Sequence, residues 1–258
     1  MPMVLTEQDG ALAILTLNNP EQYNALAPAL LREFNAALDD AIASPDMRVI
    51  LLTGAGKGFC AGAQFGGDTF SRGDSIGDLM RGSITPIIEK LRQSPKPVIT
   101  AVNGPAAGAG VGIALAGDVV LAARSARFIL SFARLGAALD GGTSLFLQRS
   151  IGAARARVLA LTGEPLHAEM AADWGLIWSC VDDDQLAGEA MKMARKLADG
   201  PPLALAAIKK QLDDAWTDDL SLTLEKEAVS QTIAFVTQDL QEGAAAFVEK
   251  RRPQFVGR

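Results

Sequence analysis

The stretch PKPVITAVNGPAAGAGVGIALA, residues 95–116, carries the clearest structural pattern in this chain of 258 residues. The short apolar run from Val98 to Val102 predicts a buried β-strand. A run rich in glycine and alanine follows from Gly104 to Gly112, and the apolar segment that ends at Ala116 predicts a short helix. A strand that leads through small residues into a helix is typical of α/β proteins.

The same kinds of element recur on either side of this stretch. Alternating hydrophobicity from Met3 to Leu17, around Gly10, predicts two strands joined by a tight turn. Further strands are predicted at residues 49–53, 119–123 and 127–130, and helices at residues 27–44 and 79–93. After Gly141 helical patterns dominate, at residues 143–151, 153–161, 168–174 and 184–199 and in several segments between 203 and 249. Strand pairs followed by a helix, repeated three times, predict stacked ββα units in residues 1–200 and a separate helical region in residues 201–258.

Composition excludes several classes of function. Hydrophobic residues make up 49% of the chain and the net charge is −6, so a substantial core is expected and a nucleic-acid partner is not. Two distant cysteines, Cys60 and Cys180, and the single histidine, His167, do not form a metal-binding pattern. No signal peptide or membrane-spanning run is recognised, and a cytoplasmic location is expected.

Two predicted strands end in loops of small residues that can bring main-chain amides close to a ligand. Residues 58–63, GFCAGA, follow the strand at 49–53, and residues 106–110, AAGAG, follow the strand at 98–102. Each loop can direct one N–H group at the same carbonyl oxygen, which would form an oxyanion hole. Taken alone, the glycine content fits a pair of ordinary tight turns better.

Several segments resemble the enoyl-CoA hydratase/isomerase (crotonase) family. They are GAGKGFCAG at residues 54–62, PKPVITAVNG at 95–104, NNP at 18–20 with NAL at 24–26, and AADWGLI at 171–177. The similarity runs in order from about residue 4 to the C-terminus. Residues 59–62 and 253–255 are most similar to the phenylacetate-pathway branch, which isomerises ring-epoxidised phenylacetyl-CoA and also shifts enoyl double bonds.

This resemblance implies a spiral of stacked ββα units with a C-terminal helical region for trimerisation and pocket closure. It implies an acyl-CoA thioester substrate, no separate cofactor, and a homotrimer or dimer of trimers. The thioester carbonyl would be held by the amides of Ala63 and Ala109. Other positions implied to bind substrate are Ala25, Lys57, Ala61, Gly62, Gln64, Phe65, Gly108, Gly110 and Phe132. For Lys57 a solvated surface charge is the simpler interpretation, and for Phe65 and Phe132 a core position is equally good.

The resemblance also indicates which residue carries acid–base chemistry. Hydratases of this family use two glutamates, and the matching positions here are Gly112 and Phe132, neither of which transfers a proton. The aspartate of the phenylacetate-pathway isomerases matches Asp140. An aspartate just before a helix is commonly an N-cap, and that role is the alternative for Asp140.

The sequence is also compatible with other functions. They are an enoyl-CoA hydratase with a non-standard acid–base arrangement, an aryl-CoA dehalogenase with Asp140 as nucleophile, and a CoA-ester-binding protein without activity. A G-x-S-x-G pattern centred on Ser75 suggests a serine hydrolase, but the residues before it are polar and not a buried strand. The glycines at 104, 108, 110 and 112 do not form the dinucleotide-binding G-x-G-x-x-G motif.

Overall fold

The computed structural model describes residues 1–64 and 76–258. The chain begins with the predicted hairpin: β1 (Val4–Asp9) and β2 (Leu12–Leu17) pair antiparallel, with Asp9 opposite Leu12. Gly10, in the connecting turn, has a φ of +58°, a left-handed conformation that glycine adopts without strain. Within the described ranges, no helix combines the length and apolar character that crossing a membrane requires.

A large, mostly parallel sheet forms the centre of the protein. In chain order its other strands are β3 (Val49–Gly54), β4 (Val98–Val102), β6 (Val119–Ala123) and β9 (Ser179–Val181). The spatial order is β1-β2-β3-β4-β6-β9, and every pair after β1-β2 is parallel. All five residues of β4 are buried, as its unbroken apolar sequence predicts for a central parallel strand.

A smaller sheet lies beside it and consists of β5 (Ala106–Ala107), β7 (Arg127–Ile129) and β8 (Leu166–His167). Two isolated bridges add to this layer, Cys60 with Ala106 and Leu26 with Ala63. Successive passes of the chain therefore leave one strand in the large sheet and a short segment in the small one. This alternation is the predicted spiral, and it places the segment after each large-sheet strand in one row.

Helices cover the sheets. Those of the first 200 residues are α1 (Pro28–Ala43), α2 (Ile76–Gly82), α3 (Ile84–Gln93), α4 (Ala109–Leu115), α5 (Thr143–Thr162), α6 (Ala168–Asp173) and α7 (Leu186–Ala198). The helix predicted at residues 79–93 is wrong as one element, because Ser83 has non-helical dihedral angles and separates α2 from α3. The helices predicted at 143–151 and 153–161 form one element, α5, which is kinked where Gly152 adopts a φ of 75° and a ψ of 164°.

The C-terminal region is helical, as predicted, with α8 (Pro202–Asp214), α9 (Leu220–Ala234) and α10 (Gln238–Glu249). A largely buried ion pair attaches α8 to the core: Lys209 Nζ lies 2.8 Å from Asp118 Oδ2, and the Lys209 side chain is 8% exposed. Asp118 also accepts a hydrogen bond from the amide of Val98, the first residue of β4. The division at residue 200 stays a prediction.

Candidate active site

Three segments far apart in sequence meet at the beginning of α4. A β-carbon added to Gly62 would lie 3.3 Å from the amide nitrogen of Ala109. A β-carbon added to Gly141 would lie 3.5 Å from the carbonyl oxygen of the same Ala109. The small-residue loop after β3, the first turn of α4 and the loop that contains Asp140 are therefore direct neighbours, as a shared site requires.

The amide of Ala63 faces away from its neighbouring chain segment. Ala63 is bridged in parallel to Leu26, whose amide donates to the carbonyl oxygen of Gly62 at 2.8 Å. In a parallel pair the residue opposite a bonded partner directs its own N–H to the other side. Within residues 1–64 and 76–258 this amide donates to no main-chain carbonyl, and Ala63 is exposed.

The amide of Ala109 is the first of α4, and a helix cannot use its first amides internally. The preceding residue, Gly108, adopts a φ of 52° and a ψ of −127°, and its own amide donates to Ile129 at 3.0 Å. A β-carbon at Gly110 would lie 2.3 Å from the carbonyl oxygen of Cys60, so the two loops are in contact here. Burial raises the pKa of the Cys60 thiol to about 12, so this cysteine is not a thiolate nucleophile at neutral pH.

Two asparagines that were not predicted as site residues hold the first loop in place. Asn24 is completely buried, and its amide nitrogen donates to main-chain carbonyls of the loop after β3, at Ala55, Gly58 and Phe59. Asn103, which follows β4, donates to the carbonyls of Gly56 and Gly58 and accepts from the amide of Gly54. Both lie in segments that carry the family resemblance, but sequence alone gave no sign of their loop-binding role.

Asp140 does not act as a helix cap. The N-cap of α5 is Gly142, two residues later, and α5 has no side-chain cap. The carboxylate is half-buried, and within the described part of the chain its buried Oδ1 has no hydrogen-bond partner. Burial raises the pKa of Asp140 to about 6, which suits a group that takes up and releases a proton near neutral pH.

Gly112 has no room for a side chain. A β-carbon there would lie 2.2 Å from the carbonyl oxygen of Gly141 and 2.8 Å from its carbonyl carbon. The loop that carries Asp140 therefore fills the space into which a residue at position 112 would project. An acidic side chain at position 112 would therefore clash with the main chain of residues 140–142 in its present conformation.

The other predicted binding residues fall into two groups. Phe132 is buried, and its ring edge would lie 3.9 Å from a β-carbon added to Gly108, so it borders the same place; Ala25 is also buried. Lys57 and Gln64 are exposed, and Gln64 donates to the side chain of Gln22 at 3.0 Å. Ala61, within the first donor loop, is half-buried, and its amide donates to the carbonyl oxygen of Tyr23 at 2.8 Å. The predictions for Phe65 and Ser75 fall outside the described residues.

A cavity of about 710 Å³ lies elsewhere, among α8, α9 and α10. Two acidic residues in its lining are already bound: Asp214 pairs with Lys210 and Lys226, and buried Asp239 accepts from two main-chain amides near the C-terminus. Those two carboxylates are therefore not free for acid–base chemistry, and the third acidic residue of the lining, Glu225, is exposed. At the beginning of α4, by contrast, the buried Oδ1 of Asp140 has no hydrogen-bond partner within the described residues, and we therefore take this place as the candidate site.

Comparison with known proteins agrees with this geometry. The sequence pattern that defines the enoyl-CoA hydratase/isomerase family matches residues 7–258. The chain therefore belongs to the enoyl-CoA hydratase/isomerase family.

Individual relatives span the whole chain. It is 41% identical to the 1,2-epoxyphenylacetyl-CoA isomerase of Escherichia coli K12 over 261 residues, covering 100% of both chains. It is 42% identical over 247 residues to a protein of Rhodobacter capsulatus described as a probable enoyl-CoA hydratase, covering 96% of this chain and 95% of that one. A crystal structure from Mycobacterium abscessus, described as an enoyl-CoA hydratase/isomerase, superimposes with a TM-score of 0.94 at 33% identity, covering 99% and 100% of the two chains. The predicted crotonase-like fold is thereby confirmed.

Proposed function

We propose that this protein is an acyl-CoA isomerase in which Asp140 is the single proton-transferring residue and the amides of Ala63 and Ala109 form the oxyanion hole. The observation that carries the proposal is the half-buried carboxylate of Asp140, which does not cap a helix and lies in a loop packed against Ala109. Membership of a family of acyl-CoA enzymes supplies the substrate class.

In the proposed reaction the carboxylate of Asp140 removes a proton from the carbon next to the thioester of a β,γ-unsaturated acyl-CoA. The electron pair of the broken C–H bond moves onto the thioester oxygen and forms a dienolate. The two amides stabilise that oxygen, each by about 3 kcal/mol in the transition state. The protonated Asp140 then returns the proton to the γ-carbon, and the double bond is conjugated with the thioester. Atoms and charge balance without a second reactant.

The two-glutamate hydration mechanism does not fit this site. The main chain of Gly141 occupies the space that a side chain at position 112 would need, and the residue at position 132 is a buried phenylalanine. Hydration needs one group to activate water and another to protonate carbon, or a single group that does both in turn. One carboxylate is sufficient for a proton shuttle between two carbons of the same substrate.

The relative named 1,2-epoxyphenylacetyl-CoA isomerase supports a ring-epoxidised phenylacetyl-CoA as a candidate substrate beside straight-chain enoyl-CoA esters. We further propose that the protein forms a homotrimer or a dimer of trimers. Large apolar side chains are exposed in the C-terminal region, among them Leu220, Val236, Phe247 and Val248. Light scattering of the purified protein tests this second proposal.

The test of function compares the wild type with Asp140→Asn on a β,γ-enoyl-CoA. Formation of the conjugated thioester is followed by absorbance, and the products are analysed by mass spectrometry. We expect turnover to fall by about 10²- to 10⁴-fold, because general acid–base catalysis contributes about that much. Asp46→Asn, at an exposed position before β3, is the matched control and retains wild-type turnover.

Three results contradict the proposal. The first is unchanged isomerisation by Asp140→Asn. The second is a product heavier by one water, formed as fast as the isomer, because that product defines a hydratase. The third is an acyl or aryl ester on Asp140 in the trapped protein, because that adduct defines the aspartate as a nucleophile.

A further inference from the structure

The turn that holds Asp140 is closed by Thr143, the first residue of α5. Thr143 is completely buried, and its hydroxyl donates to the main-chain carbonyl oxygen of Asp140 at 2.8 Å. The amide of Thr143 donates to the same oxygen at 3.0 Å. One residue therefore makes two hydrogen bonds to the carbonyl of the proposed base.

The two residues inside this turn supply no rigidity of their own. Gly141 and Gly142 adopt φ angles of 57° and 77°. Two consecutive residues in the left-handed conformation avoid steric strain only when both are glycine. Glycine also has the largest freedom to leave such a conformation. The place of Asp140 relative to α4 therefore depends on what fixes each end of the turn.

The hydroxyl of Thr143 is not needed for helix capping or packing. Gly142, not Thr143, is the N-cap, and the hydroxyl points back to Asp140 instead of to the amides of α5. A buried hydroxyl must find an acceptor, and here the acceptor belongs to the proposed base. Valine has almost the same shape as threonine and fills the same space without this bond.

We infer that Thr143 is a positioning residue, whose hydroxyl holds the half-buried Asp140 in a loop that packs against α4 through Gly141. The inference rests on the proposed function, since it acts only through Asp140. Without the hydroxyl, the Asp140 carbonyl keeps one of its two bonds and the glycine turn gains freedom. The carboxylate then samples positions farther from the substrate and more open to water.

Two kinetic consequences separate this role from a merely structural one. Catalysis depends on placement at the ångström scale, where a shift of about 1 Å can cost about 10²-fold in rate. We therefore expect Thr143→Val to lower kcat about 10-fold with KM unchanged, because CoA binding does not involve this residue. The acid limb of the pH–rate profile also moves below its wild-type midpoint, because a more hydrated Asp140 ionises at lower pH.

The experiment measures kcat, KM and the pH profile of β,γ-enoyl-CoA isomerisation for three variants. Thr143→Ser keeps the hydroxyl and is expected to stay within about 2-fold of wild type, which tests rescue by the conservative change. Thr162→Val is the matched control: its hydroxyl donates to a main-chain carbonyl near the end of the same helix, at Val158. It is expected to leave all three quantities unchanged. Thr143→Ala replaces Thr143→Val if the valine variant does not fold.

Asp140→Asn is measured in parallel, so that the two proposals fail separately. If Asp140→Asn is inactive but Thr143→Val has wild-type kcat and pH profile, Thr143 does not position the base and only this inference is overturned. If Thr143→Ser is as impaired as Thr143→Val, packing and not the hydroxyl is responsible, and the inference is again overturned. If Asp140→Asn is fully active, the proposed function itself is wrong.

Discussion

Replacing Asp140 with asparagine is expected to stabilise the folded protein at high pH and much less at low pH. Burial raises the pKa of this carboxyl from 3.8 to about 6, so the folded state binds the proton more tightly than the unfolded state. Below about pH 3 the group is largely protonated in both states, and its burial costs no stability. As the pH rises, the carboxyl of the unfolded chain ionises first, and the penalty is complete at about pH 7, one unit above the folded-state pKa.

The size of this effect follows from the shift. One pKa unit corresponds to about 1.4 kcal/mol, so the full shift would correspond to a destabilisation of about 3 kcal/mol if the group were completely removed from solvent. Asp140 is only half-buried, and screening by water lowers the expected gain to about 1–2 kcal/mol. Asparagine has nearly the same shape as aspartate. Any effect of its amide group on stability is the same at low and at high pH and therefore cancels in the comparison.

Urea denaturation of wild type and Asp140→Asn at pH 4 and pH 8 measures this quantity as the difference between the two stability changes. Asp46→Asn, exposed on a loop, provides the baseline and should show no such difference. An equal loss of stability at both pH values would refute the reasoning. A loss of stability at pH 8 that disappears at pH 4 would mean that the native carboxylate makes a stabilising bond, as a helix cap does.

Three further substitutions test the structure around the site. Asn24→Asp is expected to lower the free energy of unfolding by about 2–4 kcal/mol, because a carboxylate replaces an amide that donates to three main-chain carbonyls. Urea denaturation measures this loss, and an unchanged midpoint would contradict the prediction. Lys209→Ala leaves Asp118 without its principal cation and is expected to lower the free energy of unfolding by about 3 kcal/mol in the same assay. A loss below about 0.5 kcal/mol would show that α8 is attached to the core by other contacts. Gly112→Ala places a methyl group against Gly141 and is expected to cost about 1–3 kcal/mol together with most of the isomerase turnover. The control is Gly188→Ala in α7, where the added methyl group has no atom within 4 Å and is expected to stabilise the protein by about 0.5–1 kcal/mol. Equal effects of the two alanine substitutions would be inconsistent with the close contact at Gly112.

Much of the core could be predicted because its signals are local. The hydrophobic alternation from Met3 to Leu17 and the apolar run at residues 98–102 predicted strands that the structure confirms. Elements of two or three residues, such as β8 and β9, are too short to produce a period, and β9 was not predicted. Ser83 gave no reliable sign of a helix break, because serine is tolerated inside a helix, whereas the gap between the helices predicted at 143–151 and 153–161 coincides with the kink at Gly152.

The site was predictable only in part. The family resemblance located Asp140, whereas the local pattern favoured an N-cap, which the structure contradicts by placing Gly142 at that position. The role of Asn24 was missed because its acceptors are carbonyls more than thirty residues away, and such contacts leave no local pattern. The sequence also showed glycine at position 112, but only the fold shows that Gly141 occupies the space beside it.

The seven-residue helix α4 has a mechanical consequence. Its first residue, Ala109, presents an amide, and one turn later Gly112 provides the surface on which the loop of Asp140 rests. A tilt or slide of this helix carries both groups together, so their separation changes little when the surrounding protein is deformed. Substitutions remote from α4 should therefore be tolerated more readily than changes in the few atoms between this helix and its attached loop.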